Sequence, residues 1–580
     1  MAQIIGRQHG SDTGSAHGRR IAVWALAATL AAGCAIAEPT ISAAQSQPQS
    51  QTKPKGESHI TEQQAKELFA LVDELVKFSS DESGLALKNP VKRQLTTRDA
   101  VESYLSKKFD EDQDAKRMQR DEVVLKKFGL LDRDFALKPF LLALLKEQIE
   151  AYYDSKTKTV NMLDWVDVNE QKPVLAHELT HALQDQHADL EKWDDQTPED
   201  VSTNSSGDND HLARDEMDTA RDAVAEGQAT AVMMNYVLKP MGKSLVKDPE
   251  VLGILKEHMT GASDSPVMAR APLLLSESML FPYREGLSFE QDIWMDQGRD
   301  AAFAGALDHP PSSTWEIINP RVYEARKAPA IPLMPDIHPL VDKIYQPYDI
   351  GQIGQLDVHI MAQLFGGDKA ARNLTSAWNG GMYWAGQLRS ATVAGNQKAA
   401  GDSMGDANST KSLAIFYYSA WTNAASARAF AKLYSDSLGR KYSGLKEDAA
   451  AEKSASTGPG EIEQVFTTTE GPVVITIRGP RLFIAESFPL DMARKLTTLI
   501  LDAQGTGELK MAKNTAPVSL VPAKQLASYS AQAHAESNET GTHASSNGPA
   551  GSALSGSLVR FMNNCGVLKA AVDGAIAGIK

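Results

Sequence analysis

Residues 177–187 read His-Glu-Leu-Thr-His-Ala-Leu-Gln-Asp-Gln-His, and no other stretch constrains the chain as strongly. The first five residues have the pattern H-E-x-x-H, which sets two imidazoles on one helix face where they can grip zinc. At 100° per residue, His177 and His181 lie about 40° apart around the axis, with Glu178 on the next spoke. Zinc held there lowers the pKa of a bound water toward roughly 7, and Glu178 is placed to act as its base. The flanks favour a helix over 174–190. Val174, Leu175, Leu179, Ala182 and Leu183 give it an apolar face, Pro173 suits its first turn, and Asn169 can cap it nearby. The competing reading is a solvated amphipathic helix with two incidental histidines.

A catalytic zinc needs a third protein ligand and an open position for water. His187 would serve in the metzincin pattern, but that pattern needs glycine where this chain has Gln184. The helix should therefore run on, leaving His187 about 80° from His177 and about 120° from His181. His187 then reads as a surface residue near the helix end. Glu226 is the stronger candidate. Ala223, Ala225, Gly227 and Ala229 flank it with small side chains. These would let its helix approach the motif helix closely enough for a carboxylate to reach zinc at about 2.0–2.2 Å. Glycine in mid-helix costs roughly 1 kcal/mol against alanine, so close packing is expected to justify Gly227. Asp185, one turn after His181, and Asp222, one turn before Glu226, are placed to accept a ring N–H behind the ligands. Each also reads as a solvated helix charge, since Asp218, Asp222 and Glu226 form an i, i+4, i+8 row.

The combination of H-E-x-x-H with a glutamate on a later helix resembles the gluzincin group of zinc metallopeptidases. The longer string His177–Gln186 is similar to a family of exported bacterial proteins of that type. The likeness extends to Ala225-Glu226-Gly227-Gln228-Ala229-Thr230, Phe281-Pro282-Tyr283-Arg284-Glu285-Gly286 and Pro310-Pro311-Ser312-Ser313-Thr314, and covers about residues 95–440. It departs at Asn319-Pro320, where His-Pro would be expected. The resemblance implies zinc-binding helices, a small sheet and one zinc ion on His177, His181 and Glu226, with Glu178 as general base. It also implies a cleft lined by a strand ahead of the motif helix. Residues 149–153 and 159–163 read as two strands joined by 154–158, and an exposed edge at Tyr152 and Tyr153 would pair with a peptide backbone. For an oxyanion donor the leading candidate is Tyr283, with His309, Arg321 and Tyr323 behind it.

The expected substrate is thus a peptide or unfolded protein segment. Two rival readings remain: a non-catalytic, zinc-stabilised binding or assembly protein of the cell envelope, and a zinc amidase acting on a non-peptide amide. Retention of Glu178 argues against the first, since a structural site needs no base.

Residues 1–37 read as a signal peptide. Arg19 and Arg20 precede an apolar run, and Ala35-Ile36-Ala37 fits a cleavage site. Export to the periplasm or the extracellular space is the expectation. A lipid anchor at Cys34 is the alternative, and no membrane span is expected after signal removal. Only two cysteines exist, Cys34 and Cys565, which excludes a disulfide framework and a cysteine-held zinc. The net charge of −15 points away from nucleic acid.

The fold class is expected to be α+β. A polar linker at 38–57 leads into a helical region at 58–148 that reads equally as a scaffold lobe or a prosegment. The mainly helical zincin-like domain spans 149–325, and a proline-rich linker spans 326–345. A smaller C-terminal α+β region follows at 346–503, and then a low-complexity tail at 504–580. Within the catalytic part, 191–213 reads as a polar loop, where Asp194, Asp195, Asp208 and Asp210 are either solvated or a calcium site. In the C-terminal region Leu413–Tyr418 reads as a strand, Asn423 as a helix cap, and 473–485 as a hairpin. Trp378, Tyr383, Trp384 and Trp421 read as core.

Overall fold

The computed structural model describes residues 60–504, except 112, 195, 199–200, 260–265, 391–408 and 454–459. The signal peptide, Cys34, the linker at 38–57, Cys565 and the tail beyond Gln504 lie outside the described residues. The fold is mixed α+β. Its helical part surrounds a three-stranded sheet, and its C-terminal part is built on a seven-stranded sheet.

The small sheet has the order β1-β3-β2, with β1 Lys92–Thr96, β2 Ala151–Asp154 and β3 Thr159–Leu163. β2 and β3 form the antiparallel hairpin expected from their residues, and β1 adds to β3 in parallel. Region 58–148 is therefore not helical throughout. A strand from it completes the sheet that carries β2 on its edge. The same region supplies the helix Glu62–Ser83, which opens with a Thr61/Gln64 capping box and packs on the motif helix. Ser79 Oγ donates to the Ala176 carbonyl at 2.9 Å across that contact.

The large sheet runs β4-β5-β6-β10-β9-β8-β7, each neighbouring pair antiparallel. Its strands are β4 Tyr345–Gln352, β5 Trp378–Leu388, β6 Leu413–Trp421, β7 Lys446–Glu447, β8 Glu461–Thr468, β9 Gly471–Arg478 and β10 Arg481–Glu486. Every residue of β6 is buried, and Trp378, Tyr383, Trp384 and Trp421 are core. The helix Ala424–Lys441 begins where Asn423 accepts the Ser426 N–H at 2.9 Å. The segment 191–213 holds two helices, Leu190–Asp194 and Ser205–Arg214, and is not a plain loop. Asp208 is buried there, 3.0 Å from His338 Nε2, and so is not a solvated charge.

Three long helices form the centre of the helical part: the motif helix Val168–Ala188, the glutamate helix Met217–Leu238 and the tyrosine helix Leu273–Gln297. The motif helix starts earlier than its apolar pattern suggests. Asp167 is the N-cap, accepting the Asn169 N–H at 2.8 Å, so Asn169 and Pro173 both lie inside the helix. The helix runs past Gln184 without a break and stops at Asp189, whose φ is 56°.

The glutamate helix is buried on all sides over most of its length, as a helix at the centre of a core must be. Gly227 has a different use from the one expected. A Cβ on Gly227 would lie 2.4 Å from the Gly286 backbone, and one on Gly286 would lie 2.1 Å from the Ala223 carbonyl oxygen. Gly227 thus serves the tyrosine helix, not the motif helix.

Candidate metal centre

The motif helix projects His177 and His181 toward the glutamate helix, where Glu226 meets them. His177 Nε2 lies 2.9 Å from His181 Nε2 and 3.0 Å from Glu226 Oε2, and His181 Nε2 lies 3.6 Å from the same oxygen. This is the three-ligand grouping found among the described residues, and it could hold a metal ion. The donor set fits a cation on chemical grounds. Two ring nitrogens and a carboxylate oxygen, all lone-pair donors, converge on one buried point. Ligands at about 2.0–2.1 Å in a tetrahedral arrangement stand about 3.3 Å apart, and the observed triangle brackets that spacing.

Without a cation, protons hold the cluster together. Burial pushes His177 down to about 4, assisted by the charge of His181 and opposed by Glu226. Burial acts downward on His181 too, but Glu226, Glu178 and Gln184 overcome it and raise His181 to about 9. For Glu226 burial works upward, and the two histidines outweigh it, holding the carboxyl down to about 2. His181 therefore carries the positive charge that faces the carboxylate.

Glu178 is buried beside this group. Its Oε2 accepts the Tyr153 N–H from β2 at 2.7 Å, which fixes the carboxylate between the motif helix and the sheet edge. Burial, together with Glu226, raises Glu178 to about 8 against the pull of His181 and the Tyr153 N–H. Tyr283, on the tyrosine helix, packs its ring 6.2 Å from the His177 ring. Burial raises its phenol well above the ordinary value, and the neighbouring carboxylates, with the hydrogen bond to Glu226 among them, add to the shift. Of the two tyrosines expected on the substrate edge, Tyr153 faces Asp185, while Tyr152 is buried and stacks on Tyr104 at 5.0 Å.

The residues behind the ligands differ from expectation. Asp185 takes no ring proton. It accepts the Tyr153 hydroxyl at 2.7 Å, the Lys158 ammonium at 2.8 Å and the Leu190 N–H at 3.1 Å, tying the β2–β3 hairpin to the motif helix. His181 Nδ1 instead lies 2.8 Å from Gln184 Oε1. Asp222 is buried near Tyr283, and among the described residues no group accepts from His177 Nδ1, so Asp222 does not hydrogen-bond that ring. In the sequence Gln184 stands out only as the absence of a metzincin glycine. The usable signal was its i+3 spacing from His181, which places an amide beside the ring.

The other candidates are engaged elsewhere. His187 lies 3.0 Å from Asp308. Arg321 is exposed and pairs with Asp296 and Glu324, and Tyr323 donates to the His309 carbonyl at 2.8 Å. Among the described residues no helix is long and apolar enough to cross a membrane. Comparison of the chain with family models, with curated proteins and with solved structures finds no match.

Proposed function

We propose that this chain is an exported, zinc-dependent peptidase of the gluzincin kind, acting on exposed peptides or unfolded segments. The observation that carries the reading is Glu178. It is a buried carboxylate beside three convergent metal ligands, and it is held by a backbone N–H of a sheet edge. Zinc on His177 Nε2, His181 Nε2 and Glu226 would supply Lewis acidity and bring the pKa of water toward roughly 7. That cation's charge would draw the Glu178 carboxyl back down, so that it can take up a proton from water and return it to the leaving amine nitrogen. The Tyr153 N–H holds Oε2 and so keeps the carboxylate from rotating away. β2 pairs with β3 on one side only; Ala151 and Tyr152 are buried and the Tyr153 N–H is held by Glu178, so a peptide backbone would meet this strand at its half-buried end, Tyr153–Asp154. Tyr283, whose hydroxyl meets Glu226, is the donor nearest to an oxyanion formed at the site. Export rests on the charged, apolar and small-residue sequence of 1–37.

A second reading has an observation of its own. His177 and Glu226 are almost fully buried and His181 is nearly so, which suits a zinc clamp between two helices of a binding protein. Glu178 separates the two readings, because a clamp has no use for a base. The test compares the zinc-loaded chain with its Glu178→Gln variant on a mixed peptide library, with products read by mass spectrometry. Cleavage by the wild type, falling about 10²–10⁴-fold in the variant while zinc stays bound, is the expected result. Equal cleavage by both would sink the role of Glu178. No cleavage by either, with zinc bound, would favour the clamp or a non-peptide amide.

A further inference from the structure

A chain of buried amides runs from His181 to a distant turn, and its direction can be worked out from atoms that only accept. Gln228 follows Glu226 by two residues and is fully buried. Its Nε2 lies 2.9 Å from the Ala302 carbonyl oxygen and 3.0 Å from that of Phe303. If this amide were turned over, its oxygen would face two carbonyl oxygens and two hydrogen bonds would be lost. Gln228 Oε1 therefore points the other way, and it accepts from Gln184 Nε2 at 2.9 Å. The second proton of that Nε2 goes to the Ala225 carbonyl at 2.9 Å. Both protons of the Gln184 amide are thus placed, and only its oxygen is left to face His181 Nδ1 at 2.8 Å. An oxygen there requires the ring proton on Nδ1. The nitrogen left to offer its lone pair is Nε2, the atom that faces His177 and Glu226.

We propose that Gln184 and Gln228 are positioning residues, forming a relay that fixes which nitrogen of His181 carries the proton and which meets the metal. The anchor is the Ala301–Gly305 turn, whose helix is of the π type, a form that recurs at functional sites. The relay also bonds the two ligand helices to each other, since Gln184 belongs to the motif helix and Gln228 to the glutamate helix. The inference rests on the metal-site reading and not on peptide hydrolysis. Gln228 touches neither a ligand nor the reacting atoms, so it distinguishes a relay from a simple contact.

The experiment measures zinc affinity by chelator competition, and the His181 Nδ1 proton by NMR of zinc-loaded protein labelled with ¹⁵N-histidine. It compares the wild type with Gln184→Met and Gln228→Met, each checked for folding by its thermal midpoint. Loss of the direct partner in Gln184→Met should weaken zinc binding about 10–100-fold, and Gln228→Met should weaken it by a smaller factor, about tenfold. The His181 proton should shift in both variants and the His177 proton in neither. A folded Gln228→Met that binds zinc as the wild type does, with the His181 signal unmoved, overturns the proposal. If that variant does not fold, neutron diffraction from deuterated wild-type crystals decides. Deuterium on Nδ1 and both amide nitrogens on their carbonyl sides are expected, and a reversed amide overturns the relay. Failure of the wild type to bind zinc would instead overturn the metal-site reading, while the neutron map of metal-free crystals would still report the amides.

Discussion

His181 is the residue whose charge a metal must displace. Its pKa, raised to about 9 by Glu226 and its other neighbours against burial, means that a cation binding at neutral pH releases one proton from the ring. Zinc affinity should therefore climb about tenfold per pH unit from neutral pH toward 9, measured by chelator competition. A flat profile would show that His181 is neutral in the metal-free protein. The stability of the metal-free protein has a definite sign as well. His181 and Glu178 are both raised, so their contributions are present at low pH and lost as pH rises, through 6.5 to about 9 and through 4.5 to about 8. His177 and Glu226 are depressed, and lose theirs as pH falls, through 6.5 to about 4 and through 4.5 to about 2. The thermal midpoint of the metal-free protein should fall between pH 6.5 and 9. Bound zinc, by replacing the proton on His181, should remove the His181 share of that fall.

At the scale of elements, the ligand geometry depends on a contact that contains no ligand. The glutamate and tyrosine helices touch backbone to backbone at Gly227 and Gly286, and this contact sets the distance of Tyr283 from Glu226. Gly286→Ala would drive a Cβ onto the Ala223 carbonyl, and the helices must separate to admit it. A loss of about 1–3 kcal/mol is expected from such overpacking, together with weaker zinc binding because Glu226 moves with its helix. Denaturant unfolding and chelator competition on the same variant check both parts. A destabilised variant with unchanged zinc affinity would show that Glu226 is held by the motif helix alone. The hairpin is a second element-scale device. Asp185 ties it through both Tyr153 and Lys158, which explains why an aspartate one turn beyond His181 has nothing left for a ring.

Over the whole molecule, residues 60–148 are built into the rest. β1 extends the small sheet, and the helix Gln113–Phe128 ends on a buried ionic cluster shared with the large sheet. Lys127 Nζ donates to Glu470 at 2.9 Å, to Ser487 Oγ at 2.7 Å and to the Thr410 carbonyl at 3.1 Å. Lys441 reaches the Lys127 carbonyl at 3.1 Å and Glu486 at 2.7 Å. Burial brings Lys127 down to about 8, with Glu470 and Glu486 opposing the shift. Lys127→Ala would leave Glu470 paired with Arg133 and take the Lys127 donor from the Thr410 carbonyl, and a loss of about 1–3 kcal/mol is expected from the denaturant midpoint. A change below about 1 kcal/mol would mean that the cluster is screened as a surface pair would be. The described part of this region is thus an integral part of the fold.

The pairing of His177 with His181, the placement of Glu178, the choice of Glu226 over His187 and the β2–β3 hairpin were legible in the chain itself. Each is set by spacing within one element or by side-chain size, and helix periodicity carries that information locally. The same holds for the Asn423 cap and for β6, β9 and β10 of the C-terminal sheet, but not for β4, β5, β7 and β8. What lay beyond reach were other partners chosen across elements: Gln228 for Gln184, Tyr153 and Lys158 for Asp185, Gly286 for Gly227, and β1 for β3. The start of the motif helix at Val168 belongs with these, because the Gln171 side chain locks onto the Leu163 backbone of β3. Such choices depend on which polar groups the core buries together, and a buried donor or acceptor must find a partner wherever the fold supplies one. The sequence by itself determined the candidate ligands and the local frame that presents them. The tertiary structure alone decided what holds those ligands in place, because that is settled by contacts between residues far apart in the chain.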